Sequence, residues 1–402
     1  MTFRRTTALL IAFVLLLAAC SQAEVVPTTV PTTTTSTSST TTTTVPPTTT
    51  TTTTIPPLDI EGSTDLLTRV IDGFYAYASG ASTEAPAVPE PVLAAITPRE
   101  VETPRQGTAA VGVFKDAQVA AVEMGPDIFL LVADGGPWRI VGGEWPSLEV
   151  PAYFGSGPRH IAVVGSDARP GQNVAATRND SIHFVGLDGA GGGAVVGLPR
   201  DSYIPIPGVG RRKVTSALSL GGPATMMATF TQLTGLEFEG YLLTGFSGFQ
   251  ALVGDVLGGV LVDVPFAIND RWAHVALSAG EQVLNGAQAL GFSRARKTVP
   301  RGDFTRSEHQ GKVIIGAAKT VQAMGYMALP TLIEKSAPHL ITDLTPEELL
   351  TFSAMAISAD LGSVSNVVAS GSTGSAGGAS VVFLSSSVDE LFADLADGRL
   401  GN

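Results

Sequence analysis

Cysteine is nearly absent from this chain: its 402 residues contain one, Cys20. A single thiol excludes a disulfide framework, a zinc finger and an iron–sulfur cluster. Charge is scarce too, at 15% of residues, and basic charge scarcer still, with 24 Lys and Arg against 36 Asp and Glu and a formal net charge of −12. That sign argues against a general binder of nucleic acid or of anionic membrane surfaces. The five histidines show no metal-ligand spacing, and neither a Walker sequence nor a Gly-x-Ser-x-Gly elbow occurs. Gly189-x-Gly191-x-x-Ala194 imitates a dinucleotide fingerprint, but a strand rather than a helix follows it, so a hairpin turn explains it better. What the chain does have is apolar content, 44% of residues, enough to bury a real core over two to three domains.

The N-terminus reads as an address. Arg4 and Arg5 precede an apolar run over residues 8–17, which is too short for a bilayer of about 30 Å and suits the h-region of a secretory signal. The run ends Leu17-Ala18-Ala19-Cys20, which resembles a bacterial lipobox. Residues 1–19 are therefore expected to be a lipoprotein signal peptide, with Cys20 the lipidated residue and the mature protein anchored on the extracytoplasmic face of the cell membrane. From Val25 to Pro57 the chain is almost entirely Thr, Ser, Pro and Val without a charge. Such a segment cannot offset its ordering entropy by burial, so residues 20–57 are expected to form a disordered tether able to reach roughly 100 Å.

The folded body starts near residue 58. Residues 59–78 carry Leu66, Leu67, Val70, Ile71, Phe74 and Tyr75 at near-helical spacing. Short β-like runs follow over 109–114, 118–124, 128–133 and 138–141. Together residues 58–150 read as a small α+β accessory unit without recognisable chemistry, in which Trp138 and Trp145 read as packing residues. Beyond Tyr153, strands (160–165, 181–187, 194–198, 259–264, 380–384) alternate with helices (223–233, 246–257, 307–324, 346–359, 388–395). That pattern predicts an α/β three-layer sandwich with a mixed central sheet over residues 151–402.

Inside an acidic protein the cations are concentrated. Arg294, Arg296, Lys297, Arg301, Arg306 and Lys312 lie in one window with only Asp303 and Glu308, and Arg200, Arg211, Arg212 and Lys213 in another with only Asp201. Ten of the 22 Lys and Arg that follow Cys20 are thereby accounted for. Arginine's planar fork suits bidentate pairing with phosphate oxygens; the plainer reading is two solvated faces. Two carboxylates flank the same loop, Asp167 after one apolar strand and Asp180 at the start of the next. They are either structural ion-pair partners or ligands of a hard divalent cation.

These residues also carry a resemblance. Gly165-Ser166-Asp167-Ala168-Arg169, Arg178-Asn179-Asp180-Ser181, Leu198-Pro199-Arg200-Asp201, Lys213, Phe246-Ser247-Gly248-Phe249, Arg294-Ala295-Arg296, Gly302-Asp303-Phe304-Thr305-Arg306 and Gln310 stand in an order and spacing similar to the LytR-CpsA-Psr family, from about residue 155 to the C-terminus. The resemblance implies an extracytoplasmic, Mg2+-dependent phosphotransferase that moves a glycopolymer from a polyprenyl-pyrophosphate carrier to a hydroxyl of peptidoglycan or a related wall glycan. It implies Asp167 and Asp180 as metal-side carboxylates, with Arg200 beside them in catalysis. Arg178, Arg200, Lys213, Arg294, Arg296, Arg306 and Gln310 would hold the pyrophosphate, and Asp303 would orient the arginines. Two other readings stay open: a pyrophosphatase acting on the carrier, and a silent polyprenyl-lipid-binding lipoprotein. The chain departs from the family pattern at Asn179, where Ser is usual, at Thr215 in a Lys-x-Asn block, and at His309, where Arg commonly precedes the Gln. Phe246, Phe249, Val253, Val256 and Leu257 form a stripe that reads either as ordinary core or as the lining of a tunnel for an isoprenoid tail.

Overall fold

The structure, a computed structural model, describes residues 57–401. The signal segment, Cys20 and nearly all of the Thr-rich stretch lie outside the described residues. Among those described, no helix is long and apolar enough to cross a membrane.

The N-terminal part is one six-stranded sheet. Its strands are β1 (Asp59–Glu61), β2 (Gln106–Phe114), β3 (Ala117–Met124), β4 (Asp127–Ala133), β5 (Arg139–Trp145) and β6 (Val150–Tyr153), hydrogen-bonded in that order. Only the β1–β2 pair is parallel. The expected helix over 59–78 is shorter than its apolar spacing suggests: α1 spans Asp65–Ala78, and a short helix α2 (Glu90–Ala95) follows it. Gly62 takes φ +79°, a left-handed turn open to glycine, and Thr64 caps α1 by accepting from the Leu67 N–H. The residues before that turn are thereby freed to pair with β2.

This sheet is buried on both faces, which is why its strands read as nearly continuous apolar runs. Along β3 and β4, Ala120, Val122, Phe129 and Leu131 face a core with α1, where Phe74, Tyr75, Trp138 and Trp145 are also packed. The alternate residues Val119, Ala121, Leu130 and Val132 face a second core with helices from the C-terminal half. Trp145 is fully buried, 5.5 Å from the Phe74 ring and 5.9 Å from Phe129.

The second sheet contains β7 (Arg159–Ser166), β8 (Asn179–Leu187) and β9 (Gly193–Gly197). The chain then forms a hairpin, β10 (Tyr203–Ile206) with β11 (Gly210–Lys213), and helix α3 (Ala217–Thr234), broken at Gly221 and Gly222. Strand β12 (Gly240–Thr244) returns to the sheet edge and leads into α4 (Phe246–Ala251), whose last turns widen to a π-helix over Leu252–Val256. Two hairpins, β13 (Val260–Val264) with β16 (Gly280–Leu284) and β14 (Ile268–Asp270) with β15 (Val275–Leu277), precede α5 (Gly286–Arg294). Helices α6 (Asp303–Met324), α7 (Leu329–Ser336) and α8 (Pro346–Ser358), strands β17 (Ser365–Val368), β18 (Gly371–Ala376) and β19 (Ala379–Leu384), and α9 (Ser387–Leu395) complete the chain.

The central sheet runs β12-β7-β8-β9-β17, parallel at both edges and antiparallel within. It is the mixed sheet of an α/β sandwich. Ala162, Val164, Ile182 and Phe184 face α3 and α9, while Ile161, Val163, Val185 and Leu187 face α7 and α8. Two segments expected as strands, 259–264 and 380–384, are strands but belong to separate hairpins. Alternation of side chains does not encode which partner a strand takes: β19 pairs with β18 across a turn, and β13 with β16 across the intervening β14–β15 hairpin.

Candidate functional site

The site is assembled at the ends of β7 and β8, where a β-bulge between Gly165 and Ser166 shifts the ladder. Past the bulge the Asp167 N–H donates to the Arg178 carbonyl at 2.9 Å, and the Asp167 carboxylate accepts from the Arg178 N–H at 3.1 Å. Asp167 thus closes the loop whose other end presents Asp180. Arg178 itself is exposed on that loop.

Asp180 accepts a hydrogen bond from the Arg200 guanidinium at 2.7 Å, and both side chains are about four-fifths buried. Arg200 reaches it from the turn after β9. A third element, the start of α6, brings Asp303 between two more arginines: Arg296 at 3.4 Å and Arg306 at 3.6 Å. Residues separated by more than a hundred positions therefore surround one another. The electrostatics report the same convergence. Burial works against ionisation of Asp303, yet Arg306, Arg200 and Arg296 outweigh it and hold its carboxyl below the usual range. Burial also works against the charge on Arg200, but Asp180, Asp303 and Asp201 more than compensate and raise its affinity for the proton. Arg306, more deeply buried, is pushed the other way, by burial first and by the neighbouring Arg200 and Arg296.

These groups border a pocket lined by Ser166, Asp180, Phe246, Arg294, Arg306 and Gln310, among others. Several polar atoms around it are buried without a partner: Asp180 Oδ1, Arg200 Nε, Arg306 Nε and Ser293 Oγ. A folded chain seldom leaves such atoms unpaired, and together they offer an oxygen acceptor beside several N–H donors. That chemistry fits an anion with a divalent cation at its edge. Among the described residues no three His, Cys, Asp or Glu side chains are grouped to hold a metal, so a cation at Asp180 would complete its shell with ligand oxygens and water, as magnesium commonly does.

Not every expected residue arrives there. Asp180, Arg294, Arg306 and Gln310 line the pocket; Arg200, Arg296 and Asp303 adjoin it through ion pairs. Gln310 commits its amide N–H to the Ser293 carbonyl at 2.9 Å. Lys213 pairs with Asp201 at 2.9 Å, and neither Lys213, Arg178 nor Asp167 is among the pocket-lining residues. The three departures from the family pattern are all interior. Oriented to satisfy its surroundings, the Asn179 amide donates to the carbonyls of Val214 (3.2 Å) and Thr215 (2.6 Å). Thr215 is buried. His309 stacks on Phe292 with ring centroids 4.1 Å apart, and burial lowers its pKa to about 4. It is a neutral packing residue and presents no charge to the pocket.

Two residues escaped sequence reasoning. Arg169 lies over one ring that Arg294 also covers, Phe246, at 5.6 and 4.8 Å. Cation–π contact holds two like charges at the pocket rim, and with burial their mutual repulsion depresses the Arg294 pKa. Asp270, almost fully buried, accepts from the N–H groups of Trp272, Ala273, Arg296 and Lys297 and from the Thr298 hydroxyl, at 2.9 to 3.3 Å. It anchors the backbone that carries Arg296. Arg169 was visible inside a quoted motif; Asp270 gave no signal, because three of its five partners lie 26 to 28 residues away.

Adjoining the polar pocket is a larger apolar cavity of about 330 Å³, sharing Val163, Val164, Thr244, Phe249 and Ile314 with it. Phe249, Val253 and Leu257 of the expected stripe line this cavity. Phe246 instead serves the rim, and Val256 is not part of the lining. Phe246 stands in the first turn of α4, nearest the polar pocket, and Val256 lies within the π-turn, where the wider winding departs from α-helical register.

The α/β sandwich thus sets a cluster of arginines and a carboxylate beside an apolar cavity. The chain belongs to the LytR_cpsA_psr family, whose model matches residues 147–395. It is 28% identical over 220 residues to the probable cell wall biosynthesis protein LcpB of Corynebacterium glutamicum, covering 55% of this chain and 50% of that one. To the polyisoprenyl-teichoic acid–peptidoglycan teichoic acid transferase TagV of Bacillus subtilis it is 28% identical over 177 residues, 42% of this chain and 45% of that one. The chain thus spans about half the length of these curated relatives. The crystal structure of B. subtilis TagV superposes with a TM-score of 0.52 at 23% identity, over 60% of this chain and 98% of that one, and shows the same fold.

Proposed function

We propose that this protein is a phosphotransferase of cell-wall assembly, transferring a glycopolymer from a polyprenyl-pyrophosphate carrier to a hydroxyl of peptidoglycan or a related wall glycan. The observation that carries the reading is the adjacency of two unlike spaces. A pocket with unpaired guanidinium and carboxylate atoms shares five lining residues with an apolar cavity, and few ligands besides a lipid diphosphate have use for both. The relative TagV, a teichoic acid transferase acting between a polyisoprenyl-linked teichoic acid and peptidoglycan, supports the same chemistry.

In this reading the pyrophosphate lies against Arg200, Arg294, Arg296 and Arg306, and the isoprenoid tail follows Phe249, Val253 and Leu257 inward. The acceptor hydroxyl oxygen attacks the glycan-side phosphorus. A new P–O bond forms, the bridging P–O bond breaks, and polyprenyl phosphate leaves with the bridging oxygen. Asp180 takes the hydroxyl proton, directly or through water. The arginines, fixed by Asp303 and Asp270, neutralise charge on the non-bridging oxygens without reorganising. Magnesium, when bound at Asp180, would supply further neutralisation of those oxygens. Lys213 and Arg178 act as outlying positive charge that steers the substrate. The lipidated Cys20 and the tether would keep this chemistry at the extracytoplasmic membrane surface, where the carrier resides.

The test is reconstitution with a polyprenyl-pyrophosphate-linked glycan, peptidoglycan and magnesium. Glycan should become covalently attached to peptidoglycan as polyprenyl phosphate is released. Asp180→Ala should slow this on the order of a hundredfold or more, in a protein whose circular dichroism shows the fold retained. Release of free glycan phosphate without attachment would instead favour the pyrophosphatase, and binding without turnover the silent lipid binder.

A further inference from the structure

We infer that the accessory sheet of residues 59–153 is the outer support of the apolar cavity and sets which prenyl chain length the protein accepts. This rests on the carrier reading above and extends it to a part of the chain that otherwise has no role.

The cavity has walls of different origin. The central sheet contributes Ile161, Val163 and Leu242, and α6 contributes Val313 and Ala317. Phe249, Leu252, Val253 and Leu257 of α4 and its π-turn form a third side, and a fourth is made by α7 and α8, through Leu329, Leu332, Ile333, Leu349, Phe352 and Ala356. Those two helices are not backed by solvent. Their far sides meet the accessory sheet, where Phe114, Val119, Leu130 and Val132 share one buried core with Leu329, Ile333, Leu349 and Phe352. The same side chains therefore face the cavity and the sheet, so a displacement of the sheet changes the width of the cavity. Protein interiors packed at this density transmit such shifts.

The contact is close and pinned. A Cβ added at Gly112 of β2 would collide with the Pro330 carbonyl on α7, so sheet and helix approach as nearly as glycine permits. Polar ties surround the apolar contact. Lys115 Nζ donates to the Leu344 carbonyl at 2.7 Å in the connection between α7 and α8. Arg139 pairs with Glu347 at the start of α8 at 2.5 Å. The Tyr326 hydroxyl, just ahead of α7, donates to Glu144 of β5 at 2.5 Å, with the Tyr326 ring 5.4 Å from Phe154. An appended domain that only carried a partner-binding surface would not need its core merged with the wall of the cavity.

The experiment uses the full chain and three probes: inorganic pyrophosphate, farnesyl pyrophosphate and undecaprenyl pyrophosphate, with dissociation constants measured for each. Gly112→Ala pushes α7 toward the cavity. It should weaken the long prenyl probe at least tenfold relative to the short one and leave inorganic pyrophosphate unchanged. Leu130→Val removes volume behind the wall and should shift the long-to-short ratio about threefold in the opposite sense. Opposite shifts would not arise from general destabilisation. If Gly112→Ala fails to fold, Leu130→Val decides. A ratio unchanged in the folded variants, or shifted alike by both, overturns the inference while the carrier reading stands. A wild-type chain that binds inorganic pyrophosphate but neither prenyl probe overturns both.

Discussion

Single residues at this site are chosen as much for what they hold as for what they touch. Asp303 and Asp270 are both carboxylates buried beside arginines, but Asp303 neutralises guanidinium groups and Asp270 collects backbone N–H groups. His309 and His183 are held neutral. His183 gives Nε2 to the Ser307 carbonyl at 2.9 Å, and burial lowers each histidine's pKa to about 4. A folded pKa below the unfolded value of 6.5 means that the unfolded chain binds more protons between those two values. Stability contributed by these histidines is therefore complete above pH 6.5 and is lost as pH falls toward 4, on the order of 3 kcal/mol for each. Urea unfolding at pH 7.5 and 4.5 should show that loss, and His309→Phe should remove about half of it. Asp303 titrates below this window and does not contribute to it.

At the scale of elements, irregularities do the positioning. The bulge between Gly165 and Ser166 turns the end of β7 toward the loop closed by Asp167, and the π-turn over Leu252–Val256 widens the helix between Phe249, which lines both spaces, and Leu257, which lines only the cavity. Neither was legible in apolar spacing, which assumes regular periods. Caps, in contrast, were written locally. Thr345 begins α8 with a capping box, bonding the Glu348 N–H while the Glu348 carboxylate accepts from the Thr345 N–H. Thr345→Ala should cost about 1 kcal/mol in chemical denaturation. Because α8 forms part of the cavity wall, the same variant should raise amide hydrogen exchange along Pro346–Ser358 while leaving α3 on the opposite face of the central sheet unchanged.

For the molecule as a whole, the order of layers is α1, accessory sheet, α7 with α8, central sheet, then α3 with α9. Two sheets thus enclose one pair of helices, and the cavity lies on the inner side of that pair. The N-terminal address belongs to this scale as well. Cys20→Ser should move the protein from the membrane fraction to the soluble one on cell fractionation, and persistence in the membrane fraction would reject lipidation as the anchor. Catalysis by the soluble form on detergent-solubilised carrier should be retained, since the folded body carries every residue of the site.

Amino-acid order by itself determined the features that depend on near neighbours: the capped helices, the alternation of strands and the clustering of arginine in two windows. It also contained the family resemblance, because motifs keep their order regardless of how the chain is arranged in space. Tertiary structure alone decided which of those charges meet. Lys213 and Arg178 belong to the same motifs as Arg200, yet one is paired with Asp201 and the other is exposed on a loop. It also decided that the sheet of residues 59–153 shares its core with the cavity wall. Both outcomes rest on contacts between residues distant along the chain, and burial, which rewards any apolar surface alike, leaves no mark in local sequence of which distant partner will provide it.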